Sequence, residues 1–177
     1  MEKLEVLGCR KIYIQSLPSS WQHLQNMRTL HLKNCILRDI SSIGALVKLE
    51  ILSLFGSQFP ELPREIGHLK HLKLLDITEC KQLKRIPPGV LSSLTKLEEL
   101  YMKSSFCQWS PVQGNEEKIC ASLDEVISLS DHLKVLEIYI PQVQLLGQSS
   151  VLFNSLTRFG ISIFVRPYSY WNCLFEN

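Results

Sequence analysis

Four runs of apolar residues share one internal spacing, and that spacing constrains the fold more than any other feature of the chain. Leu24, Met27, Leu30, Leu32 and Cys35 stand at offsets that recur as Leu46, Leu49, Leu52, Leu54 and Ser57. The same offsets return as Leu69, Leu72, Leu75, Ile77 and Cys80, and again as Leu94, Leu97, Leu100, Met102 and Ser105. Successive starts are separated by 22, 23 and 25 residues. A chain with such a period builds a stack of like coils, because no single unit can bury its own apolar side. Within each run the pair Leu30-x-Leu32 has the period of two that belongs to a strand. Both leucines then point inward while His31 points out.

The period lies in the range of about 20 to 29 residues that marks leucine-rich repeats. The expected fold is an α/β leucine-rich-repeat solenoid, a horseshoe with a parallel β-sheet on its concave face and short helices or irregular segments on its convex face. A weaker unit opens the chain with Met1, Leu4, Leu7 and Cys9 at the same offsets. Each return segment carries a second apolar anchor, at Leu17-Pro18, Ile40-Ser41, Leu62-Pro63 and Ile86-Pro87. Proline supplies no amide donor, so these positions suit an irregular convex segment and exclude a central strand. Cys35 and Cys80 fall where this repeat class turns after its strand, and they are read as buried, inert thiols.

Regular repeats of about 22 to 25 residues are expected over 1–103. The next clear register, Leu129, Leu133, Leu136 and Ile138, starts 35 residues after Leu94, which leaves an irregular insertion at 104–128. Its first part, Ser104 to Lys118, reads as a surface loop. Leu123, Val126 and Ile127 have helical spacing, and Ser122 is a suitable cap for a convex helix. Looser repeats are expected over 129–165, with a last strand through Leu156, Phe159, Ile161 and Ile163. The tail 166–177 is rich in aromatic residues. Either those rings cap the stack or the chain stops within a longer one; the second reading is preferred, since the amino end also lacks a polar cap.

The sheet positions that alternate with the leucines define the candidate site. They include Thr29, His31 and Lys33, then Ser53 and Phe55, then Asp76 and Thr78, then Glu99, Tyr101 and Lys103, and finally Glu137 and Tyr139. Ile51, Leu74 and Val135 complete this face. Phe55, Tyr101 and Tyr139 are expected to stand exposed as aromatic anchors, with Asp76 and Glu99 as charged neighbours. No nucleophile, base and orienting group recur at a catalytic spacing, and an enzyme is not expected. His68, His71 and Cys80 belong to different parts of the coil and do not form a metal set.

Charge and cysteine content narrow the partners. With 19 basic and 17 acidic residues the formal charge is +2, too small to draw the chain to nucleic acid or an anionic membrane. No apolar run reaches the length of a membrane span. The six cysteines contain no CxxC pair, and no Asn-x-Ser/Thr sequon occurs. A reducing, cytoplasmic location is expected.

The stretches LPSSWQHLQNMRTLHLKNC and LVKLEILSLFGSQFPELPREIGHLKHLKLLDITECKQLKRIPPGVLSSLTKLEELYM resemble the repeat region of plant intracellular coiled-coil nucleotide-binding leucine-rich-repeat disease resistance proteins. The resemblance runs from about Met1 to Ile163 and includes ASLDEV and LKVLEIYIP after the break. It implies a protein-interaction module of an immune receptor acting in the defense response. The implied partners are a pathogen effector or a guarded host protein, together with the nucleotide-binding domain of the same receptor. ADP or ATP is implied only for that other domain. This sequence has no GxxxxGKS/T phosphate loop, so no cofactor is expected in the chain itself. The alternatives are an extracellular leucine-rich-repeat receptor-like or inhibitor protein, and a substrate adaptor of a ubiquitin ligase. The first calls for sequons and an LxGxIP return segment, and LFGSQFPELP lacks that glycine.

Overall fold

The computed structural model describes residues 3–110, 119–140 and 156–163. The aromatic tail 166–177, the polar stretch around Gly147 to Ser150 and the second half of the Ser104 to Lys118 segment lie outside the described residues. Seven of the described strands form one parallel sheet. In chain order these are β1 (Val6–Arg10), β3 (Thr29–Lys33), β5 (Ile51–Ser53), β6 (Leu74–Asp76), β7 (Glu99–Tyr101), β8 (Val135–Ile140) and β9 (Arg158–Ile163). Each pairs with the one before it, so the sheet grows in sequence order. A second, two-stranded parallel sheet joins β2 (Tyr13–Ser16) to β4 (Ile36–Asp39) just beyond the first turns.

The register follows the leucine spacing. Leu7, Leu30, Leu52, Leu75, Leu100 and Leu136 lie side by side across the sheet. From Leu30 to Leu136 these leucines are fully buried, and the return anchors Leu62 and Ile86 are buried in the same apolar core. Burying each contributes about 1.5 to 3 kcal/mol. At the last strand the stacking weakens. Phe159, in register with Leu136, keeps 58% of its surface exposed.

The turn after each strand is built the same way in every regular repeat. Lys11, Asn34, Gly56, Glu79 and Ser104 have left-handed backbone, with φ between 53° and 66°. The residues that follow Asn34, Gly56, Glu79 and Ser104 are Cys35, Ser57, Cys80 and Ser105, all buried. Their polar atoms satisfy the backbone that the turn frees. Ser57 Oγ donates to Leu32 O at 2.7 Å and accepts from Cys35 N at 2.9 Å, and Cys80 Sγ donates to Leu54 O at 3.1 Å. Burial pushes the Cys80 thiol up to about 12, so it stays protonated and unreactive.

Among the described residues the convex side carries short 3-10 turns, Ser19–His23, Ser41–Ala45 and Arg64–His68, and one α-helix, α1 (Leu123–Ile127), with Ser122 at its N-cap. The turns pack closely. A Cβ on Gly44 would lie 2.5 Å from the backbone oxygen of Glu65 in the next repeat, so only glycine fits there.

The expectation that the insertion begins as a surface loop is corrected. Phe106 is fully buried and Trp109 is 7% exposed. Their rings meet edge to face with centroids 5.0 Å apart, and Trp109 Nε1 donates to Tyr139 O at 3.0 Å. The longer interval between Leu94 and Leu129 leaves room for apolar material inside the coil, and two aromatic rings occupy it. Ser110 and Ser122 bridge the two ends of the excursion, and Ala121 N donates to Ile86 O at 2.7 Å.

Candidate interaction surface

Alternation along the strands sets the solvent face of the sheet. In the middle row Gly8, His31, Ser53, Asp76, Tyr101, Glu137 and Gly160 are neighbours in register. One row nearer the strand starts stand Val6, Thr29, Ile51, Leu74, Glu99, Val135 and Arg158. Thr29, His31, Lys33, Asp76, Thr78, Glu99, Tyr101 and Glu137 are half-buried on this face, while Phe55 and Lys103 are exposed.

Three members differ from expectation: Tyr101 is half-buried rather than exposed, and Ser53 and Tyr139 are buried. Ser53 is 2% exposed, because it is flanked on both sides in the sheet and its Oγ donates to Asp76 Oδ2 at 2.8 Å. Tyr139 is 8% exposed and is not an open aromatic anchor. It sits near the end of β8, where Trp109 of the insertion hydrogen-bonds to its carbonyl and Ser162 of β9 is its register partner.

Tyr101 is the most connected side chain of the face. Its hydroxyl donates to Glu99 Oε2 at 2.5 Å and accepts from Arg158 Nη2 at 2.6 Å. The Arg158 guanidinium lies 5.7 Å from the ring centroid. Burial, then the Glu99 hydrogen bond, holds the phenol above its ordinary value, so it remains a neutral donor.

Asp76 is held as firmly. Its two oxygens accept from Ser53 Oγ and from Thr78 N. His31, Ser53 and Asp76 thus stand side by side, yet the hydroxyl proton of Ser53 is committed to the carboxylate. The Nδ1 of His31 is buried without a hydrogen-bond partner. A nucleophile needs its proton directed at the base, and this order of groups does not do that. Burial, reinforced by Lys33 and opposed by Asp76, lowers the His31 pKa.

A second set of side chains was not singled out by the sequence reading. Arg28, Glu50, Lys73, Glu98 and Lys134 each stand directly before a sheet strand. They form an alternating ladder of ion pairs along one flank. Arg28 and Lys73 both pair with Glu50, the latter at 2.8 Å, and Lys134 pairs with Glu98 at 2.5 Å. The hydrogen bond from Lys73, then that from Arg28, keeps Glu50 below its ordinary value, and Lys134 does the same for Glu98. The signal was present in the sequence as alternating charge four residues after Leu24, Leu46, Leu69 and Leu94.

Among the described residues no group of three or more His, Cys, Asp or Glu is placed to hold a metal ion. None of the described helices is long and apolar enough to cross a membrane. The model of the leucine-rich repeat region matches residues 27–115. The chain belongs to the leucine-rich-repeat family. Its leucine-rich-repeat fold is a protein-interaction scaffold, generally non-enzymatic.

Relatives refine the placement. A disease resistance protein of Arabidopsis thaliana is 34% identical over 163 residues, which is 90% of this chain and 16% of that protein. The leucine-rich-repeat chain described here therefore spans a small part of the length of that relative. An internalin from Listeria monocytogenes superposes over 90% of this chain and 48% of its own, with a TM-score of 0.60 and 19% identity. The Arabidopsis receptor kinase HAESA, solved with the peptide hormone IDA and the co-receptor SERK1, covers 89% of this chain and 26% of its own. Its TM-score is 0.57 at 19% identity. The two structural likenesses show the fold alone.

Proposed function

We propose that this leucine-rich-repeat chain is the recognition surface of a plant intracellular immune receptor. It binds a pathogen effector or a guarded host protein, and it contacts and restrains the nucleotide-binding domain of the same receptor. The observation that carries this reading is the solvent face of the sheet. Phe55, 37% exposed, and Tyr101 stand there among charged side chains on a rigid parallel scaffold. Aromatic residues ringed by polar ones are where interfaces concentrate binding energy. The similarity to the Arabidopsis disease resistance protein supports the receptor context.

A cytoplasmic site is part of the proposal. Five cysteines among the described residues are free thiols, which suits a reducing compartment. The test is capture of partners from plant tissue challenged with a pathogen. The chain carrying Phe55→Ala and Tyr101→Ala should melt within about 1 kcal/mol of the parent yet lose at least about tenfold in partner affinity. Unchanged capture by this double variant would remove the solvent face from the binding reaction.

A further inference from the structure

Charges on the solvent face of the sheet are unevenly distributed: one end carries basic side chains, and at the other three carboxylates outnumber Lys103 and Arg158. Toward one end, Arg10 and Lys33 are register neighbours on β1 and β3. Toward the other, Asp76 and Glu137 flank Tyr101 in the middle row and Glu99 precedes it by two residues on the same strand. The ion pairs among the described residues all lie off this face. They join Arg28 and Lys73 to Glu50, Lys81 to Glu79, Arg85 to Glu61, and Lys134 to Glu98. Among the described residues Arg10, Lys33, Asp76, Glu99 and Glu137 form no such ion pair, although Asp76 accepts hydrogen bonds from Ser53 and Thr78 and Glu99 accepts one from Tyr101. Between the two ends the row nearer the strand starts is apolar, with Ile51 and Leu74 half-buried beside the polar Ser53 and Asp76, and Phe55 is exposed past the end of β5.

Resting on the recognition reading above, we propose that this face takes an extended protein segment of opposite polarity. An acidic side chain lies over Arg10 and Lys33, an apolar one over Ile51 and Leu74, and an arginine against the carboxylates around Tyr101. Three strand spacings of about 4.8 Å separate β3 from β7, or about 14 Å. An extended chain rises about 3.3 Å per residue, so about four to five residues separate the acidic and basic side chains of the segment.

Arginine is preferred to lysine because the chain already seats one. Arg158 places its guanidinium over the Tyr101 ring and donates to the hydroxyl, which shows that a planar cation fits there. Arg158 enters from β9 and Lys103 stands beyond the end of β7, so the cations near the carboxylates occupy the margins. A segment presenting its own arginine competes with Arg158 for Tyr101. The charge separation fixes the direction in which the segment crosses the repeats, since a reversed segment meets like charge at both ends.

The test uses the full chain and synthetic peptides followed by calorimetry and amide NMR. One peptide carries glutamates at one end, arginines at the other and a leucine-containing spacer of about five residues. A second has the same composition with the charges alternating, and a third has lysine for arginine. The sorted arginine peptide should bind at least about tenfold tighter than the alternating one, and tighter than the lysine peptide. Lys33→Gln and Glu137→Gln should each weaken the sorted peptide about fivefold and leave the alternating one unchanged, while Arg158→Gln, which vacates the ring, should strengthen it. Equal binding of the sorted and alternating peptides, or no gain from Arg158→Gln, overturns the proposal. If either occurs while the Phe55 and Tyr101 double variant still loses partner capture, the polarity is wrong and the recognition reading stands.

Discussion

The regular repeats and the insertion solve the same problem by different means. From Leu24 to Met102 each coil is closed by leucines at fixed offsets, by a left-handed turn residue and by a buried Cys or Ser that takes up the freed backbone groups. From Ser105 to Ser128 the period is lost, and specific long-range contacts replace it. Glu125 on α1 is 9% exposed and accepts hydrogen bonds from Gly89 N at 2.9 Å, Leu91 N at 3.1 Å and Ser92 N at 3.3 Å. One carboxylate thus ties the convex helix to the return segment before it. Periodic packing distributes stability over many equivalent leucines, whereas an irregular excursion concentrates it in a few polar anchors. The first is robust to a conservative change and the second is not.

The largest expected effect breaks the regular side of this comparison. Leu54 is fully buried between repeats, so Leu54→Asp places an unpaired charge in the stack and should abolish the cooperative melt seen by circular dichroism. A melt like the parent's would show that the repeat register is wrong. Gly44→Ala comes next. The added methyl meets the Glu65 backbone at 2.5 Å and should cost about 1 to 3 kcal/mol in denaturant unfolding, with a loss of exchange protection centred on the two stacked turns.

Glu125→Ala probes the insertion. It leaves three amides without their carboxylate and should cost about 1 to 3 kcal/mol. Hydrogen exchange should quicken at Leu91 and Ser92 and stay unchanged at Leu30 and Leu52. Uniform loosening of the whole sheet would show that the two regions are not energetically distinct. Ser104→Gly tests the last regular turn, where φ is 53°. Glycine relieves the left-handed strain and should raise stability by up to about 1 kcal/mol, read as a shift in the thermal midpoint.

The smallest effect concerns pH. Because burial and Lys33 lower the His31 pKa in the folded chain, the folded state favours the neutral imidazole. That contribution is complete above the unfolded value near 6.5 and is lost as pH falls below it. The imidazole C2–H titration in NMR should have its midpoint below 6.5, and Lys33→Gln should move it up.

Much of this arrangement was legible from spacing alone. Apolar residues two apart in each run predicted the strands, and their offsets predicted which strand neighbours which, because identical coils can stack only in register. The turn slots at Cys35 and Cys80 were legible for the same reason. The candidate face was legible as a set of positions, but not in its details. Ser53 sinks beneath a hydrogen bond to Asp76, a contact 23 residues away, and Tyr139 is enclosed where the insertion returns. Neither partner is marked by periodicity. Trp109 and Phe106 lie among polar residues, so a local reading puts them on the surface.

The sequence by itself determined the repeat, the direction of the sheet and the inward set of side chains, because a period of two inside a longer period admits one stacked solution. Only the tertiary structure decided which outward residues remain open, which charges pair along the flank and where Glu125 reaches. Those outcomes depend on contacts between residues far apart in the chain, and such contacts leave no period to be read.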